Sequence, residues 1–162
     1  MLEQKETGSF GNEEVKEEIE GLENMLTWTE NPKVVKKGIE KAVSMLPLYP
    51  EEVLGEVGCE LGEALSFLED VHYKSKVEAV LARVARNYAH KIEGEALQGM
   101  SSSDIWYVRW LSVWFVNNMA YEDPDSVSTD QLDVLLNDED ERVKEFARRV
   151  ANRIEKLKVS QV

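Results

Sequence analysis

The sequence predicts an all-α protein, and three observations carry that expectation. Apolar residues recur three and four apart along most of the chain, the spacing that lines one face of a helix. No segment alternates apolar and polar residues convincingly at period two, as a half-buried strand does. Four prolines and nine glycines in 162 residues suit helices joined by short connections.

Length and composition bound the rest. A chain of 162 residues is one domain by size and long enough to bury a core. Hydrophobic residues at 43% and charged residues at 31% fit a soluble globular protein. A net charge of −13 argues against a general binder of nucleic acid or anionic membrane. The single Cys59 excludes an internal disulfide, and with only His72 and His90 beside it there is no Cys/His metal pattern. No glycine-rich phosphate loop or EF-hand occurs, so neither cofactor nor metal is expected. The opening MLEQKETGSFGNEE has no apolar core of a signal peptide, and the longest near-apolar run, residues 110–116, is far short of a membrane span. A cytoplasmic location is the default.

Taken in order, residues 1–11 lack periodicity and read as a flexible tail, leaving residues 12–162 as a single helical-repeat domain. Helix one starts near Asn12, with Val15, Ile19, Leu22 and Leu26 on one face. Pro32 opens helix two, which stops before Pro47. The third helix turns Val53, Leu54, Val57, Leu61 and Leu65 inward. After a turn at residues 70–73, Ser75 caps a fourth helix over residues 76–92. Residues 93–100 form at most a short helix, and the cluster at residues 101–104 opens another over residues 105–120. A helix over residues 129–136 then precedes the clearest amphipathic stretch, residues 138–157, whose first residues are acidic and whose body is basic, as the helix dipole favours.

That last stretch has relatives within the chain. Aligned on Val143, the positions Val35, Val77 and Val108 start similar stripes, 42, 31 and 35 residues apart. Each copy follows a helix or part of one, so helix pairs stack and share a continuous core. Asp138 before Val143-Lys144, and Asp104 before Val108-Arg109, repeat an acid ahead of a valine–cation pair. In these features the chain resembles the HEAT repeat, particularly the short HEAT-like repeats of prokaryotic proteins. The resemblance covers roughly residues 12–158 and implies an α-α superhelix of about four helix pairs. An irregular helical bundle is the alternative.

Charge divides by helix type. Second helices sum to +12 and the remainder to −25. In the HEAT family second helices line the concave side, so the resemblance implies a basic inner face. Stacked in register, one row reads Lys41, Arg83, Trp114 and Arg149; neighbouring rows hold Arg86 and Trp110, with Arg109 close by. Trp110 and Trp114, one turn apart, fall off the apolar stripe and among arginines. An exposed pair would be a recognition surface, aromatic area beside guanidinium groups. A buried pair, in a helix covered on all sides, would simply be core.

Carboxylates lie in runs that solvated faces and caps explain, and no nucleophile motif occurs, so no catalytic residue is named. Cys59 sits in an acidic helix, which raises its pKa. The first functional expectation is a non-catalytic interaction module. It would bind a protein partner with acidic or phosphorylated segments through Lys41, Arg83, Arg86, Arg109, Trp110, Trp114 and Arg149; a second copy of the chain is a further candidate. The alternative is a nucleic-acid-binding protein. One HEAT-like family consists of DNA glycosylases that remove alkylated purines with tryptophans, basic residues and an aspartate, and residues 103–109 are similar to their repeat starts. Here the turn after Trp110 carries Trp114 and no aspartate.

Overall fold

The protein is represented by a computed structural model that describes residues 2–27, 30–92 and 94–160, with side chains from Glu13 onward. The described residues form seven α-helices and no strand. These are α1 (Leu2–Thr27), α2 (Pro32–Met45), α3 (Pro50–Ser66), α4 (Val71–Asn87), α5 (Gly94–Ser101), α6 (Trp106–Glu122) and α7 (Glu141–Ser160). Short 3-10 turns occupy Ala89–Lys91, Pro124–Ser126, Thr129–Leu132 and Leu135–Asn137.

Local chemistry accounts for most boundaries. The Asn31 side chain accepts a hydrogen bond from the Lys33 amide at 3.0 Å, and Pro32 fills the first helical position of α2. Asp70 caps α4, accepting from the Tyr73 amide at 3.1 Å, so that helix starts ahead of the expected Ser75. It also ends at Asn87, and a 3-10 turn carries the chain on toward Ile92. Helix α1 reaches back to Leu2, through the segment read as a tail; the side chain of Asn12, its expected cap, lies outside the described residues, as does Glu93 ahead of α5.

The expected helix over residues 129–136 is instead a pair of 3-10 turns. Its start signal is sound: Ser128 and Gln131 form a reciprocal capping box. Beyond it, Leu132 and Leu135 are buried while Val134 is exposed. Apolar residues three apart suit the three-residue turn of a 3-10 helix, and the two leucines anchor the turns beneath α7.

The helices stack in two layers. Helices α1, α3 and α5 are successive neighbours in one, and α2, α4, α6 and α7 in the other. Helix α6 is central, with α4 and α7 on its flanks and α3 and α5 behind it. Its close seat on α3 depends on Gly62. A Cβ there would lie 3.0 Å from Val108 and 3.4 Å from Leu111, both buried on α6. The shared core runs from Val15 of α1 to Ile154 of α7. Charge follows the layers: α3 carries five glutamates and no lysine or arginine, whereas α2 carries four lysines against Glu40.

Candidate recognition face along α6

Positions 106/107, 110, 114, 117/118 and 121 fall one turn apart on α6, so a single stripe runs the length of the helix. Its first half is a ladder of rings. Trp106 meets Tyr107 edge-on at 5.8 Å. Tyr107 stacks on Trp110 at 5.7 Å, and Trp110 on Trp114 at 5.4 Å, with interplanar angles of 14° and 16°. From α7, Phe146 leans against Trp110 at 5.2 Å. Trp110 and Trp114 are half-buried against the core and keep part of each indole at the surface. They are neither wholly core nor wholly surface.

Helices α4 and α7 run alongside and frame the ladder with cations. Lys74 lies 4.0 Å over the Tyr107 ring, Arg142 lies 3.5 Å over Trp106, and Arg149 lies 5.8 Å from the centre of Phe146. Such placements attract a cation to the negative ring face. Glu78 braces the ladder from α4: its carboxylate accepts from the Tyr107 hydroxyl at 2.9 Å, and its main-chain carbonyl accepts from the Trp114 indole N–H at 3.2 Å. Burial, reinforced by the Glu78 charge and hydrogen bond, pushes the Tyr107 phenol far above its ordinary range. Tyr107 therefore stays protonated and keeps donating to Glu78.

The second half of the stripe is polar. Asn118 donates to the Trp114 carbonyl at 2.9 Å, and its oxygen accepts from Arg86 Nε at 2.9 Å. The Asn117 oxygen accepts from Arg153 Nη1 at 2.6 Å. Both arginines face Tyr121, with guanidinium carbons 4.6 and 5.4 Å from its ring centre.

The expected site residues are only partly brought together. Trp110, Trp114, Arg86 and Arg149 lie on this face. Arg109 does not: it is 8% exposed, paired with Asp138 at 2.8 and 3.1 Å, and donates to the Ser103 carbonyl at 2.8 Å. The Asp138 hydrogen bond, against the effect of burial, raises its pKa above the usual arginine value. It ties the start of α6 to the chain entering α7 and is not a surface cation. Arg83 is exposed on α4, and Lys41 is half-buried on α2, whose main neighbours are α1, α3 and α4; neither makes an aromatic contact among the described residues.

Some members of the face are not among the residues that the sequence pattern singles out. Tyr121 continues the 110, 114 spacing and was legible in it. Phe146 keeps the apolar spacing of α7, yet it is half-buried and turns toward Trp110. Arg142 and Lys74 needed the helix register. Elsewhere, burial and then Glu60 and Glu63 push the Cys59 thiol up, which keeps it protonated and a poor nucleophile. Among the described residues no helix is long and apolar enough to cross a membrane. No protein-family model matches the chain, and a search of curated protein sequences finds no match either.

Proposed function

We propose that the chain is a HEAT-like interaction module that binds an acidic segment of a protein partner along α6, between α4 and α7. The stacked Tyr107–Trp110–Trp114 ladder, its tyrosine buried and its two tryptophans half-exposed, with cations on both flanks, carries this reading. Aromatic surface gives large contact area at low entropic cost, and flanking cations select carboxylates over neutral chains. The layer of α1, α3 and α5 is acidic and would repel the same partner. Titration calorimetry with a glutamate-rich peptide containing one aromatic residue tests this. Trp110→Ala/Trp114→Ala is expected to weaken binding at least tenfold while circular dichroism shows the helices intact. Unchanged affinity in that variant, or no binding by the parent, contradicts it.

Stacked rings beside cations are also a platform for nucleic-acid bases, which keeps single-stranded nucleic acid as the second reading. An oligonucleotide that binds more tightly than the peptide, with affinity falling steeply as salt rises, would favour it. For glycosylase chemistry the difficulty is Glu78, whose carboxylate is engaged by Tyr107 rather than presented to a sugar.

A further inference from the structure

We infer that Arg86 and Arg153 form a two-guanidinium site for a phosphoryl group carried by the bound partner segment. This rests on the partner-binding reading above and gives the far end of the same face its own specificity.

The first support is orientation from beneath. Asn118 is 2% exposed and Asn117 8%. Burying a carboxamide is costly unless its groups are hydrogen-bonded, and here each carboxamide oxygen accepts from one arginine. The Asn118 amide is held to the Trp114 carbonyl, which turns its oxygen toward Arg86. Both guanidinium groups are thus positioned before any ligand arrives, which lowers the ordering cost of binding.

The second support is charge left unmatched. Acids outnumber lysines and arginines 32 to 19, yet among the described residues no carboxylate lies within ion-pair distance of Arg86 or Arg153. Each guanidinium has five N–H donors, and each gives one to its asparagine, so most remain free to meet a ligand. A single carboxylate would satisfy one such group. A phosphate monoester, with a charge of about −1.5 to −2 and three acceptor oxygens, matches two. Tyr121, 53% exposed, lies 4.6 and 5.4 Å from the two guanidinium carbons and offers an apolar wall for the residue carrying the phosphate. The charge of −13 opposes a long polyanion over its whole length but opposes a single phosphoryl group at short range far less. This favours a phosphorylated peptide over nucleic acid.

The test uses the full chain and inorganic phosphate, following arginine Nε–Hε resonances by NMR at ionic strength matched with chloride. Arg86 and Arg153 are expected to shift and saturate with phosphate only, while exposed Arg83 does not. Shifts that fail to saturate, or that chloride reproduces, overturn the inference without need of any variant. A second arm compares a phosphoserine peptide, its serine counterpart and an oligonucleotide. The phosphopeptide is expected to bind at least tenfold more tightly than the serine form, with that advantage shrinking as pH falls through about 6. Arg86→Gln/Arg153→Gln should erase the advantage, so that the phosphoserine and serine peptides bind the variant alike. Equal affinity for both peptides overturns the phosphoryl site but not the partner-binding face; failure of every peptide overturns both; preference for the oligonucleotide overturns the peptide assignment.

Discussion

Arg109 and Arg86 both lie in the layer formed by α2, α4, α6 and α7, yet their surroundings give them opposite parts. Arg86 is exposed and, among the described residues, is held by Asn118 and Tyr121. Arg109 is enclosed with Asp138, their side chains 10% and 6% exposed. Removing one member of a buried ion pair leaves the other charge stranded, at about 3–5 kcal/mol. Asp138→Ala should therefore lower the urea-unfolding free energy by about that much, while Arg86→Ala, which takes the donor from the buried Asn118 oxygen, should lower it by about 1–3 kcal/mol. The repeat pattern flagged Arg109 as part of a valine–cation motif but could not say which way it pointed. Asp138, the acid of the next copy, is its partner, so the sequence held both halves of the pair without their pairing. The tryptophans were ambiguous for a related reason: helical spacing locates a ring on a face and is silent about how far the flanking helices cover it.

At the scale of elements, glycine and capping chemistry give sharper tests. Gly62 lets α3 seat against Val108 and Leu111 of α6, whereas Gly55 on the same helix has open space around it. Gly62→Ala should destabilise by about 1–3 kcal/mol through overpacking, and Gly55→Ala should stabilise by up to about 1 kcal/mol through helix propensity. Thermal unfolding of the two variants compares them directly. At the head of α7, Asp140 accepts from the Arg142 amide at 2.9 Å and from its guanidinium at 2.8 and 3.0 Å. Those bonds, the Arg142 side chain foremost, hold its carboxyl at about 2, below the ordinary value of about 3.9. The folded state thus takes up this proton less readily than the unfolded one. The resulting stabilisation is complete above about pH 4 and is lost as pH falls toward 2. Asp140→Asn should flatten that part of the acid-unfolding curve. Helix α7 was the most legible element because stripe, acidic start and basic body agree. Residues 129–136 were the least, since a capping box looks alike before an α-helix and a 3-10 turn.

Across the whole molecule, the all-α class followed from periodicity, and the division into an acidic and a basic layer followed from counting charges by helix. What the sequence withheld was the register between α4, α6 and α7. That register brings Lys74 to Tyr107, Arg142 to Trp106 and Arg153 to Asn117, and it depends on how side chains interdigitate across the seams. The central claim is that recognition belongs to this face and not to the acidic layer of α1, α3 and α5. Two-dimensional NMR of the full chain during titration with the glutamate-rich peptide tests it most directly. Saturable shifts of the Trp110 and Trp114 indole N–H resonances and of α4 and α7 amides beside them are expected, with α3 amides unmoved. Shifts concentrated on α1 and α3, with both indoles unchanged at saturation, would contradict it.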